Sequence, residues 1–334
     1  MKNLLPFYIL TIMLLALSCN NPKDRNTSTE SLANEEETET SNKIATLELE
    51  QNATLGEGAF WNHQTQELYW IDILQNKLHI YNPKYKTNST FNLPSMIGTV
   101  VPQTDSTAVV ALEDGIYIQN IKNGSLQQIS DVEANKPENR FNDGKCDPNG
   151  NLWVGSLHLK ETDPVAKLYR VSPNGTTTPM LDNITISNGI VWTKNGNTMY
   201  YIDTPTGLIR AFDYDKNTAS ISNERVAVEV PVSLGFPDGM TIDSEDKLWV
   251  GMWNGDAVVR FDPLTGAVME RIEVPAHNVT SCAFGGPNLD ILYITTAQKD
   301  MTEAEREKYP LAGSLFSVKP GVTGVPSTFF GVPQ

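Results

Sequence analysis

The chain of 334 residues is 40% hydrophobic and 19% charged, the balance of a folding globular protein with a sizeable core. Its 25 Lys and Arg against 40 Asp and Glu leave a formal net charge of -15, which excludes a nucleic-acid partner held through a basic surface. Three cysteines, Cys19, Cys146 and Cys282, show no CxxC spacing and exclude both a disulfide scaffold and a thiolate zinc site.

Residues 1–19 have the pattern of an export leader. Lys2 supplies a positive start, and the apolar stretch from Leu4 to Leu17 is short of the ~20 residues that span a bilayer as a helix. Leu15-Ala16-Leu17-Ser18-Cys19 resembles a bacterial lipobox, in which the cysteine becomes the lipidated first residue, although Ala16 stands where leucine is usual. The expectation is an exported lipoprotein, attached to a membrane only through acyl chains on Cys19 and carrying its folded part in the periplasm or at the cell surface. Residues 20–43, with Glu35, Glu36, Glu37 and Glu39 and only Leu32 and Ala33 as apolar side chains, read as a disordered acidic tether.

Residues 44–334 carry a repeat. Runs of aromatic and β-branched residues begin at Leu68, Ala108, Leu152, Met199, Leu248 and Leu292, with spacings of 40, 44, 47, 49 and 44 residues. Each is followed by a second alternating run, such as Lys77–Tyr81 or Ala257–Phe261, and most of these end in turn chemistry such as Asn82-Pro83, Asn123-Gly124 or Asp262-Pro263. Six copies at this period predict an all-β fold, a six-bladed β-propeller with four-stranded blades around a central channel. A parallel α/β sheet would need a helix after every strand, and the only helix-like stretch is Met301–Lys308.

Ten or eleven residues before five of these runs stands a polar residue beside glycine or a small residue: Glu57-Gly58, Asn142-Asp143-Gly144, Asn188-Gly189, Asp238-Gly239 and Thr280-Ser281. The second copy has Ile97-Gly98 instead. In most copies a further turn, as at Asn149-Gly150 or Asn195-Gly196, separates the pair from its run and joins the two innermost strands. Glu57, Asn142, Asn188, Asp238 and Ser281 are therefore expected at the start of the innermost strands, converging on the channel mouth. Carboxylate and amide oxygens without thiolate or histidine suit Ca²⁺, Mg²⁺ or Mn²⁺, with Zn²⁺ possible. A polar ring that binds only water is the alternative.

Leu55-Gly56-Glu57-Gly58-Ala59-Phe60-Trp61, Arg140-Phe141-Asn142-Asp143-Gly144-Lys145, Ser187-Asn188-Gly189, Pro237-Asp238-Gly239-Met240-Thr241 and Thr280-Ser281-Cys282-Ala283-Phe284 resemble, in order, the regucalcin and gluconolactonase family. The resemblance implies a propeller that hydrolyses sugar lactones with one divalent cation. It assigns the metal to Glu57, Asn188 and Asp238, and substrate contacts to Arg140 and Asn142. Some members place a substrate-contacting glutamate after the strand that here reads Leu152–Ser156. An ungapped alignment puts Lys160 there, which implies either a substrate other than a simple aldonolactone or a solvated lysine outside the site.

Lactone hydrolysis needs a stabilised oxyanion and an activated water. Gly-x-Ser-x-Gly does not occur, and His63, His79 and His277 fall in or near the outer parts of their repeats, so a Ser-His-Asp mechanism is not legible. A divalent cation meets both needs, with Asp238 expected as ligand and general base, its plain alternative being ligand only. Because second strands run back to the mouth, His158, Asp203, Thr204, Trp253 and Asn254 are candidate rim residues. Cys146 and Cys282 fall in the third and sixth copies, opposite one another, and are expected as small buried hydrophobes rather than a disulfide. Two rival functions remain open. One is a non-catalytic tethered propeller that binds a sugar or protein partner; the other is a paraoxonase-like lactonase with an apolar rim, which Arg140 and Lys160 oppose.

Overall fold

The computed structural model describes residues 43–333; the leader, Cys19 and the tether up to Asn42 lie outside the described residues. The chain forms six antiparallel sheets arranged as the blades of a ring. Blade 1 spans 56–92, blade 2 97–130, blade 3 139–184, blade 4 187–229 and blade 5 236–273, each running outward strand by strand from the axis. Blade 6 differs. Its three inner strands, Asn278–Gly285, Ile291–Ala297 and Leu315–Val318, are completed by Thr46–Leu49 from the start of the folded chain. The two ends of the polypeptide thus close the ring, with Thr46 opposite Ser317. Lys43–Ile44 adds a short parallel edge to blade 5.

Burial falls from axis to rim, and composition follows it. The inner strand Gly56–Asn62 is buried throughout, whereas the outer strand Thr87–Asn92 is polar and largely exposed. The aromatic runs are the second strands, and they sandwich Trp70, Trp153, Trp249, Tyr201 and Tyr293 between neighbouring sheets. Two blades share one turn device. Asp147 Oδ1 accepts from the backbone N–H of Asn149 and Asn151 while Oδ2 accepts from Trp153 Nε1 at 2.8 Å; Asp243 does the same for Glu245, Lys247 and Trp249. One carboxylate thereby ties the turn between the inner strands to the core tryptophan.

After blade 6 the tail crosses the far end of the channel. Phe330 N donates to Pro102 O and Gly331 N to Gly150 O, and both Phe329 and Phe330 are buried in the apolar cluster shared by blades 1 to 3. A cavity of about 240 Å³ is left there, lined by Lys145, Cys146 and Trp192 from the strands and by Val325 to Thr328 from the tail. Cys146 and Cys282 are buried free thiols. The expected helix is a short one, Glu303–Lys308, opened by a capping box between Thr302 and Glu305.

His79 illustrates how a polar group is held in a blade. It stacks on Trp70 at 4.1 Å between ring centres. Trp70 Nε1 donates to Asn88 Oδ1, which leaves Asn88 Nδ2 to donate to His79 Nδ1 at 3.1 Å and so requires a neutral imidazole. Burial lowers its pKa to about 4 from 6.5. Its folded-state pKa being depressed, the neutral ring contributes no pH dependence above pH 6.5, and stability is lost as pH falls from there toward 4. Between pH 7 and pH 5 this should remove about 2 kcal/mol of unfolding free energy. Urea titrations at the two pH values should show wild type losing about 2 kcal/mol more than His79→Gln, a difference in which every other titrating group cancels.

Candidate active site

All six inner strands break register with their second strand near the same depth: between Glu57 and Phe60, Ile97 and Thr99, Phe141 and Gly144, Asn188 and Ile190, Pro237 and Met240, and Val279 and Ser281. These are β-bulges. An extra residue leaves the ladder and its side chain is re-aimed, which is the physical meaning of the recurring polar-glycine pairs. Glycine is required by crowding at the axis. A Cβ on Gly239 would lie 2.6 Å from Ser281 Oγ and 2.9 Å from Thr280 O. A Cβ on Gly98 would lie 2.3 Å from the Phe141 carbonyl carbon, so the copy without a polar residue is the one that yields space to Arg140-Phe141-Asn142.

The bulges bring Glu57, Asn142, Asn188 and Asp238 together with Arg140 in a cavity of about 120 Å³ at the channel mouth. Leu55, Leu157, Ile186 and Trp253 form apolar wall, and no histidine lines it. Ser281, expected among the converging residues, does not line the cavity; it is buried and packs on Gly239. Of the expected rim residues, Thr204 and Trp253 line the cavity. Asp203 instead accepts from the backbone N–H of Thr185 and Ile186, as Asp72 does from Thr54 and Leu55, and so fixes the chain entering an inner strand. His158 faces Glu138 in a separate groove, and Asn254 bonds through its N–H to Asn278. His158 ends its strand opposite Asn139 and Asn254 takes a left-handed backbone in the turn after Trp253, and their bonds hold both outside the cavity.

A hydrogen-bonded chain orients the polar set. Arg140 Nη1 donates to Phe141 O at 3.0 Å and to Asn142 Oδ1 at 2.7 Å. Asn142 Nδ2 donates to Ser187 O at 2.7 Å and to Asn188 Oδ1 at 3.2 Å. Asn188 Nδ2 donates to Thr204 Oγ1, whose hydroxyl donates to Pro237 O, each at 2.8 Å. Both amides are thereby fixed, with Asn188 Oδ1 on the side of Asn142.

The carboxylates are less satisfied. Glu57 Oε2 accepts from Gly58 N, and Asp238 Oδ1 is buried without a partner. Burial raises the pKa of Glu57, and the charge of Asp143 adds to it; burial raises that of Asp238 far more than usual, with Glu57 the next cause. Two acids that oppose one another's ionisation inside a protein are expensive unless a proton or a cation lies between them. Among the described residues no group of three or more His, Cys, Asp or Glu side chains could hold a metal ion. Here the third donor is an amide. Two carboxylates, one with an unused oxygen, and a fixed amide oxygen make a hard donor set, and Glu57, Asn188 and Asp238 fit a divalent cation.

The model of the SMP-30/Gluconolactonase/LRE-like region matches residues 55–298. The chain belongs to the SMP-30/gluconolactonase family. It is 40% identical over 275 residues to YvrE of Bacillus subtilis, provisionally named a sugar lactone lactonase, covering 82% of this chain and 94% of that one. Regucalcin of Danio rerio is 34% identical over 281 residues, covering 83% and 95%. The crystal structure of regucalcin from Agrobacterium tumefaciens, titled a calcium-binding protein, superimposes with a TM-score of 0.82 at 27% identity, over 86% of this chain and 98% of that one.

In this SMP-30/gluconolactonase chain Lys160 is the solvated lysine outside the site that the sequence allowed. Lys160 is exposed and does not line the cavity. The next residue does. Glu161 adopts φ 58° and lines the mouth, 3.6 Å from Arg140 Nη2 and 3.1 Å from Lys299 Nζ. A counting error of one residue is enough, because the turn after His158 lets successive side chains face opposite ways. Lys299 and Asp300 also line the cavity and were missed. They stand two and three residues after Ala297, the end of a second strand, so the rule that second strands run back to the mouth, applied to blade 6, would have found them.

The donor set has a thermodynamic consequence. A divalent cation at 100 times its Kd should stabilise the fold by about 2.7 kcal/mol. Glu57→Gln and Asp238→Asn each remove one of two opposed charges, so both variants should match or exceed the cation-free wild type in urea melts and lose the cation-dependent increment. A cation-free Asp238→Asn protein several kcal/mol less stable than wild type would overturn the assignment.

Proposed function

We propose that the protein hydrolyses sugar lactones with one divalent cation, held by Glu57, Asn188 and Asp238, and that Asp238 is the general base. The observation that carries the reading is Asp238 Oδ1, buried and unpartnered in a cavity where Arg140, Asn142 and Asn188 are already fixed by hydrogen bonds. Membership of a family with named lactonases supports the reaction, and the calcium-binding description of the Agrobacterium regucalcin supports the cation. The ion, Ca²⁺, Mg²⁺, Mn²⁺ or Zn²⁺, would polarise the lactone carbonyl and acidify a water. The side chains do the rest. Arg140 offers a planar fork to substrate oxygens from a position locked by Asn142, and Asn142 presents its amide at the same depth. Asp238 takes the proton of the attacking water as it adds to the carbonyl carbon. The ring C–O bond then breaks, and the same proton passes to the leaving ring oxygen, giving the open hydroxy acid.

The mouth favours a polyol over an aryl or acyl-homoserine lactone, because Arg140, Glu161, Lys299 and Asp300 surround it. A non-catalytic tethered propeller would share the cavity but turn nothing over. The leader is part of the same proposal: an exported protein anchored through Cys19, from which Cys19→Ser should move the protein into the soluble fraction.

Hydrolysis of gluconolactone should vanish with chelator and return with added cation. Asp238→Asn should keep the fold and lower kcat by roughly three orders of magnitude, within the range of general-base removal. Near-wild-type turnover in that variant would dismiss the base. A wild type inactive on every sugar lactone with each of the four ions would favour the non-catalytic propeller.

A further inference from the structure

We propose that Lys299 is a specificity-determining residue that, paired with Glu161 across the mouth, restricts the site to lactones of a single sugar with a free distal hydroxyl. The inference rests on the lactonase reading above. Glu161 comes from blade 3 and Lys299 from blade 6, three places apart in a ring of six, so their 3.1 Å contact spans the mouth instead of following its rim.

Neither end is slack. The Lys299 N–H donates to Thr54 O at 2.9 Å and its carbonyl accepts from Asn278 Nδ2 at 2.8 Å. Its Nζ lies 5.6 Å from the centre of the Trp253 ring and 2.6 Å from Asp300 Oδ2. On the other side Glu161 holds a left-handed backbone, φ 58°, with its N–H donating to His158 O at 2.7 Å. The side chains are only 22% and 31% exposed, unlike a pair of freely moving surface charges.

Chemistry and size point to the same ligand. Around the mouth donors and acceptors alternate: Arg140 and Lys299 donate, Glu161 and Asp300 accept, and the four charges cancel. A hydroxyl fits that pattern, since it can donate to Glu161 and accept from Lys299 at once. An O-glycosyl group in its place has no proton to give to Glu161 and collides with the pair. Sites built to bond a hydroxyl reject analogues lacking it steeply. The space beneath, about 120 Å³, is small beside the roughly 300–1,000 Å³ of pockets for drug-sized ligands, and leaves room for one ring.

The test compares a hexonolactone with the lactone of a disaccharide aldonic acid, using the cation-loaded full chain and its Lys299→Ala and Lys299→Met variants. Calorimetric binding of the two matching aldonates runs in parallel. Wild type should prefer the hexonolactone by at least ~100-fold in kcat/KM. Lys299→Ala should narrow that ratio at least tenfold by gaining on the larger lactone. Lys299→Met, which keeps bulk without charge, should keep the size preference and raise KM for the hexonolactone about tenfold with kcat held. A wild-type ratio near one, or a ratio unchanged in Lys299→Ala, overturns the proposal. If wild type hydrolyses neither lactone, the lactonase reading fails and binding decides the pair. Preferential hexonate binding that weakens tenfold in Lys299→Met supports it; equal binding of both aldonates, no binding, or indifference to Lys299 overturns it.

Discussion

The strand Thr46–Leu49, laid antiparallel on Leu315–Val318, is the contact on which the rest depends. Without it blade 6 would have three strands and an open edge at the place where the ring must close. Glu48 strengthens the junction by accepting from Tyr81 of blade 1 at 2.8 Å and from Ser317 of blade 6 at 2.7 Å. Closure matters for function because no blade holds the site alone. Glu57, Asn142, Asn188 and Asp238 come from blades 1, 3, 4 and 5, and their separations are set by the angle between neighbouring blades.

Within the closed ring the bulges convert a packed axis into a polar one. A regular ladder would alternate side chains between the two faces of each blade, against its neighbours; in blades 1, 3, 4 and 5 the bulge aims a polar side chain at the axis. Glycine beside it lets the next inner strand approach. The result is an unfavourable concentration of buried acids, Glu57, Asp238 and Asp143, with Arg140 on one side and Lys145 on the other, and burial lowers the pKa of both cations as it raises those of the acids. The tryptophan and tyrosine layers between blades hold that arrangement in place. Stability sits in the blades and strain at the axis, as expected of a site preorganised for charge.

The repeat period exposed the blades because each must bury a second strand on both faces, which demands the same aromatic and β-branched run every time. The polar-glycine pairs exposed the site for a related reason: bulge, crowding and side-chain chemistry all act within two or three neighbouring residues. Lys160 against Glu161 marks the limit. A turn that changes the facing of successive side chains cannot be resolved by counting, and a left-handed glutamate, unlike a left-handed Gly, Asn or Asp, carries no compositional signal. Ser281 fails differently, since its bulge is present and its side chain packs on Gly239 instead of lining the cavity.

By itself, then, the order of residues determined the number of blades, the inner strands and the side chains Glu57, Asn142, Asn188 and Asp238, because these follow from local spacing; Arg140 came only from the family resemblance. Only the tertiary structure decided that the ring is closed by residues 46–49, that residues 325–330 cross its far end, and that Glu161 meets Lys299 over the cavity. Those contacts join positions separated by 138 residues in one case and 269 in another, and such pairings are set by the geometry of the closed ring, which no local pattern encodes.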